Sequence, residues 1–94
     1  MRLMRTSAEK AGNVDAVLSE EEYRERLREM PPSAKLVAKV LEIDAPLSQA
    51  RVAEESLLPG RTVRYALSRL EERGLIESRH SLQDARKHVY LLTR

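Results

Sequence analysis

Arg61-Thr62-Val63-Arg64-Tyr65-Ala66-Leu67-Ser68-Arg69-Leu70-Glu71-Glu72-Arg73-Gly74 is the stretch on which the reading of this chain turns. On a helix advancing about 100° per residue, Val63, Ala66, Leu67 and Leu70 share one face. Arg61, Tyr65 and Ser68 lie roughly opposite, Thr62 and Arg69 flank them on one side, and Arg64 flanks them on the other. One side is aliphatic and made for a core. The other carries three arginines, a tyrosine and two hydroxyls, and only the last turn, Glu71 and Glu72, is acidic. Pro59 suits the first turn because its missing N–H is not needed there, and Gly74 is a natural stop. This polarity fits a DNA major groove, where arginine can donate two hydrogen bonds to guanine O6 and N7 and a hydroxyl can reach bases or phosphates. The first turns would do the reading and the acidic last turn would point away from the phosphates. The bland alternative is a solvated face whose arginines pair with Glu71 and Glu72.

Upstream, Ser48 caps a short helix, Gln49 to about Glu55, that buries Val52 and Ala53. Ser56-Leu57-Leu58 is a tight connection, and the two helices make a helix-turn-helix. At the start of the first helix, Ser48 and Gln49 can donate to a phosphate, with Arg51 one turn further in. Before it, Ser33 is expected to cap a core helix running to about Ile43 with Leu36, Val37, Val40 and Leu41 inward. Asp44-Ala45-Pro46 breaks that helix, and Ala45 to Leu47 reads as a short edge piece. Ser19 and Glu22 form a capping box that opens a helix running to Met30, which Pro31-Pro32 stops. Its apolar residues Tyr23, Leu27 and Met30 make one narrow stripe that must bury against the rest of the domain or against a second copy of the chain. The second copy is the favoured reading, since the remainder already makes a complete unit. Residues 1–18 are polar and aperiodic and are expected to form a flexible arm.

Downstream of Gly74 the period changes to two. Leu75 to His80 and Lys87 to Thr93 read as strands, joined by the polar turn 81–86. The expected fold is therefore mainly α with a small antiparallel β-hairpin (α+β): an arm over 1–18, an extra N-terminal helix over 19–30 and a helix-turn-helix with its hairpin over 33–94. Pro59 to Arg94 holds eight basic and four acidic residues, whereas residues 1–32 and 33–58 are each slightly acidic. All the excess positive charge lies in the last third, as a polyanion partner would require.

The run ending Leu67-Ser68-Arg69-Leu70-Glu71-Glu72-Arg73-Gly74-Leu75-Ile76 resembles the recognition helix of winged helix-turn-helix regulators. Asp84-Ala85-Arg86-Lys87, followed by Tyr90-Leu91-Leu92-Thr93, looks like the wing of the multiple-antibiotic-resistance-regulator (MarR) type. From Pro31 onward the chain is similar to small archaeal regulators of that type. The resemblance implies that Arg86 enters a minor groove, that Asp84 holds Arg86 in place, and that Lys87 belongs to the DNA-facing wing. It also implies that Thr62 contacts a phosphate and that Arg64 and Tyr65 read bases. An arginine in a narrow A·T-rich minor groove reads shape rather than base identity. Relatives carry long helices after the wing that build a dimer and shape a ligand pocket. This sequence stops at Arg94, so the expected homodimer would use the N-terminal helix through Tyr23, Leu27 and Met30, and no small-molecule effector is evident.

Composition closes off other classes. A chain of 94 residues has room for one small domain and no deep substrate cavity. It has no cysteine, so disulfides and thiolate metal sites are excluded. With no tryptophan or phenylalanine and only three tyrosines, a base-stacking platform for single strands is hard to build. No apolar run approaches the ~20 residues of a membrane helix, and no secretory signal follows the basic start. His80 and His88 lack a third ligand, so no metal is expected. Ser19, Ser33 and Ser48 each precede a helix and read as caps rather than nucleophiles. The expectation is a cytoplasmic, nucleoid-associated, non-enzymatic, cofactor-free binder of double-stranded DNA that regulates transcription. The alternative is a winged-helix protein-interaction module within a larger assembly, which an apolar patch on the Arg61 helix would favour.

Overall fold

The computed structural model describes residues 18–84 and 86–93. Its elements are α1 (Glu20–Arg28), α2 (Pro32–Asp44), α3 (Gln49–Ser56), α4 (Gly60–Glu72), β1 (Ile76–His80) and β2 (His88–Leu92). The expected arm lies outside the described residues except for Leu18, whose N–H donates to the Thr93 carbonyl at 3.2 Å.

Local chemistry sets most of the boundaries. The capping box at α1 forms in both directions: the Ser19 hydroxyl accepts from the Glu22 N–H at 3.1 Å, and the Glu22 carboxylate accepts from the Ser19 N–H at 3.0 Å. That hydrogen bond to the backbone, followed by the one to the Ser19 side chain, holds the Glu22 carboxyl below its ordinary pKa. α1 ends at Arg28, with Met30 turned into a tighter bend by its N–H to the Leu27 carbonyl, because Pro31 disfavours helical backbone in the residue before it. Ser33 is not the cap of α2. The helix already begins at Pro32, Pro31 is its N-cap, and no side chain caps it. A proline in the first turn needs no partner for an N–H it does not have, so the Pro-Pro pair that ends one helix also starts the next. Ser48 does cap α3, accepting from the Arg51 N–H at 3.2 Å.

One aliphatic core joins the elements. Ala34, Val37, Ala38, Val40 and Leu41 from α2 and Val63, Ala66, Leu67 and Leu70 from α4 are buried, with Val52 of α3, Leu47, Leu75 and Ile76 completing the centre. The inward face of α2 is thus centred on Ala34, Val37, Ala38 and Leu41. Leu36, expected inside, is 41% exposed and Ile43 is 80% exposed.

Tyr23, Leu27 and Met30 are buried in this same core. Their expected role as a dimer seam is corrected: the stripe closes over the winged helix of its own chain. The Tyr23 hydroxyl donates to Glu42 on α2 at 2.9 Å. Arg26 Nη1 donates to the Arg73 carbonyl at 2.9 Å, and Arg73 Nη2 donates to Glu29 at 2.8 Å, so α1 is tied across the end of α4. Gly74 completes that end with φ +73°, and a Cβ there would stand 3.1 Å from Arg26 Nη1.

β1 and β2 pair antiparallel, from Ile76 opposite Leu92 to His80 opposite His88. The Ala45–Leu47 edge piece reduces to Leu47, which exchanges two backbone hydrogen bonds with Tyr90, at 3.1 and 2.8 Å. Among the described residues no helix is long and apolar enough to cross a membrane.

Candidate nucleic-acid interface

α3 and α4 are joined by a turn in which Leu57 takes left-handed backbone, φ 63° and ψ 21°, and stands 88% exposed. That single residue reverses the chain and lets α4 start afresh at Pro59. α4 then turns its four aliphatic residues inward, which leaves Arg61, Arg64, Tyr65 and Ser68 exposed and Thr62 and Arg69 half-buried. Every outward residue expected on this helix is outward in the structure. Arg61 and Arg64 pair with no carboxylate among the described residues, so the bland reading of a self-neutralised face does not describe them. Arg69 differs. Its Nη1 donates to the Tyr65 hydroxyl at 2.7 Å, its guanidinium sits 5.7 Å from the Tyr65 ring centroid, and its Nε is 4.0 Å from Glu72.

The N-terminus of α3 faces the wing. Ser48, Gln49, Ala50, Lys87, His88 and Tyr90 line a concavity of about 290 Å³. The positive end of a helix and a lysine thus meet in one hollow, which suits an anion. Ser48, Gln49 and Lys87 were expected to contact DNA, and the fold brings these three together. His88 and Tyr90, which were not among the expected DNA contacts, also line the hollow. The signal was available in the strand period: with His80 opposite His88, residues 76, 78 and 80 share a face with 88, 90 and 92. Ile76, Tyr90 and Leu92 pack on the core from that face, and the His80 and His88 rings meet at 4.8 Å between centroids. Burial first, and then the negative charge of Glu71, raises the Tyr90 pKa and keeps its phenol protonated. Arg51 is not drawn into this hollow. It folds back along α3 onto Glu54 at 3.2 Å and Glu55 at 3.1 Å. Exposed pairs of this kind are weak.

At the tip of the wing the backbone is shaped by Asp84. Its Oδ1 accepts from the Arg86 N–H at 3.0 Å and from Arg86 Nε at 3.3 Å, and its Oδ2 accepts from Arg86 Nη2 at 3.4 Å. The backbone bond, then the side-chain one, lowers the Asp84 pKa. Asp84 thus holds the arginine at both its backbone N–H and its guanidinium, while the side chain remains 91% exposed. No group of three or more metal-ligating side chains occurs among the described residues.

Two helices joined by a tight turn, followed by a hairpin with an arginine at its tip, define a winged helix-turn-helix. The sequence matches the MarR family over residues 29–87, and the chain belongs to that family. Solved structures share the fold. A ZitR variant from Lactococcus lactis is 24% identical, over 70% of this chain and 44% of that one, with a TM-score of 0.66. A MepR variant from S. aureus, solved bound to an oligodeoxyribonucleotide, is 23% identical over 79% of this chain and 56% of that one, with a TM-score of 0.65. The PcaV transcriptional regulator from Streptomyces coelicolor is 24% identical over 78% and 60%, with a TM-score of 0.65. The chain thus spans about half the length of these proteins. No curated protein sequence matches it.

Proposed function

We propose that this protein is a sequence-specific binder of double-stranded DNA that regulates transcription as a homodimer. The observation that carries the reading is the outward face of α4, where Arg61 and Arg64, without a carboxylate partner among the described residues, stand beside Tyr65, Ser68 and Arg69 on a helix anchored by a wholly aliphatic inner face. α4 lies in a major groove, with Arg64 and Tyr65 on base edges and Thr62 on a phosphate. Ser48, Gln49 and Lys87 hold a backbone phosphate in their shared hollow, and Arg51 moves from Glu54 and Glu55 to a neighbouring phosphate. Arg86, held by Asp84, enters the adjacent minor groove.

A second copy related by two-fold symmetry extends the site to two half-sites one or more helical turns apart. With Tyr23, Leu27 and Met30 buried, the dimer uses another surface, of α1 or elsewhere. The reading places the protein in the cytoplasm with the nucleoid, without catalytic activity and without a small-molecule effector. The interaction-module alternative asks for an apolar patch on α4, and Tyr65 is the only large hydrophobic side chain exposed there among the described residues.

Fluorescence anisotropy of labelled duplex and single strand across a salt series tests the reading. Tight duplex binding is expected, with log affinity falling linearly in log salt, by about 0.9 per phosphate neutralised. Equal binding of both strand forms, or no salt dependence, would refute it.

A further inference from the structure

Of the three outward arginines of α4, Arg69 alone has side-chain partners among the described residues. It sits one turn after Tyr65, the spacing at which helical side chains meet, and makes both a hydrogen bond to the phenol oxygen at 2.7 Å and a cation–π contact at 5.7 Å. Tyr65 is 51% exposed, so the pair faces outward. A guanidinium carries five N–H donors. One goes to Tyr65 and the Nε lies toward Glu72, which leaves three donors, and two side by side suffice for guanine O6 and N7. The side-chain freedom that an arginine loses on binding is here largely lost beforehand, and such preorganisation strengthens the bound state. The phenol ring beside it offers apolar surface, and in the major groove the apolar feature of a base is the thymine methyl.

Resting on the DNA reading above, we propose that Tyr65 and Arg69 act as one unit that specifies a guanine and the thymine next to it, in each half-site. Arg69 makes the guanine contact. Tyr65 does two things: its hydroxyl positions Arg69, and its ring packs on the thymine methyl.

The test measures affinity for every single-base-pair variant of the duplex returned by selection from a random library. It compares the unaltered protein with Arg69→Ala, Tyr65→Phe, Tyr65→Ala and the Tyr65→Phe/Arg69→Ala double variant. Both side chains lie on the solvent face, and circular dichroism checks that each variant is folded. Arg69→Ala is expected to flatten the preference at one G·C pair by roughly tenfold. Tyr65→Phe loses part of the same preference and adds nothing to Arg69→Ala, while Tyr65→Ala also flattens the adjoining T·A pair. Unchanged discrimination by Tyr65→Phe, losses at non-adjacent base pairs, or losses that multiply in the double variant would overturn the unit while leaving DNA binding intact. An unaltered protein that prefers no duplex would overturn the DNA reading itself, and this inference with it.

Discussion

Among the described residues two hold left-handed backbone, and they should respond to substitution in opposite directions. Leu57, in the turn between α3 and α4, has φ 63°, and Gly74, at the end of α4, has φ +73°. Left-handed backbone costs an L-residue with a Cβ about 1–2 kcal/mol, and glycine escapes that cost. Leu57 is 88% exposed, so its side chain contributes almost no burial to set against the cost. Replacing it by glycine relieves the strain but adds about 0.5–1 kcal/mol of unfolded-state freedom. The net expectation for Leu57→Gly is a gain of roughly 0.5–1 kcal/mol, a rise of about 3–6 °C in Tm for a domain of this size. Leu57→Ala keeps the Cβ and the strain, and should change stability by less than about 0.5 kcal/mol. Gly74→Ala introduces the same strain at a place where the new Cβ meets Arg26 Nη1 at 3.1 Å. Arg26 must shift and its bond to the Arg73 carbonyl weakens, so a loss of about 2 kcal/mol is expected. Urea unfolding followed by far-ultraviolet circular dichroism reads all three. A Leu57→Gly protein no more stable than Leu57→Ala would refute the reasoning, because the gain would then not come from backbone conformation.

Other consequences follow from the same contacts. Tyr23→Ala should destabilise the folded chain by about 3–5 kcal/mol, as for other buried aromatics; a variant that unfolds like the parent but loses self-association would restore the dimer seam. The Asp84 carboxyl titrates below its ordinary value of 3.8. Its stabilisation of the wing tip is therefore present above that pH and is lost as pH falls through the lowered folded value, which carboxyl-carbon NMR shifts of Asp84 would follow. An Asp84 titration at or above the ordinary value would contradict the Arg86 contacts. Arg64→Ala should weaken binding by about 1–3 kcal/mol and relax preference at one base pair. Arg86→Ala should lose affinity mainly on duplexes with A·T-rich flanks, and an equal loss on G·C-rich flanks would remove the minor-groove role.

The caps of α1 and α3 and the aliphatic face of α4 were legible in the sequence because they are local. The Ser19–Glu22 box, the Ser48 cap and the inward set Val63, Ala66, Leu67 and Leu70 each depend on residues within a turn or two of one another. Apart from the start of α2, where Pro31 and Pro32 displace Ser33 as the cap, what was misread depended on partners far along the chain. The stripe of Tyr23, Leu27 and Met30 looked spare because its receptor surface comes from α2 and α4, and nothing near it in sequence announces that surface. The shift of the α2 face away from Leu36 has the same origin: four apolar positions on one helix admit two nearby faces, and packing in the common core selects the one centred on Ala34, Val37, Ala38 and Leu41. Within the site, the outward face of α4 and the pairing of His80 with His88 follow from helical and hairpin periodicity, while the place of Tyr90 beside the α3 N-terminus needed the strand register. Arg51 lies one turn into α3 as expected, but Glu54 and Glu55 of the same helix pair with it.

The central claim is sequence-specific recognition of duplex DNA by α4 and the wing. Selection from a random duplex library, followed by sequencing of the bound fraction, tests it most directly. The account predicts a recurrent motif with two-fold symmetry, carrying a guanine in each half-site, whose enrichment Arg64→Ala and Arg69→Ala each relax at separate positions. A bound fraction as random as the input library would contradict it.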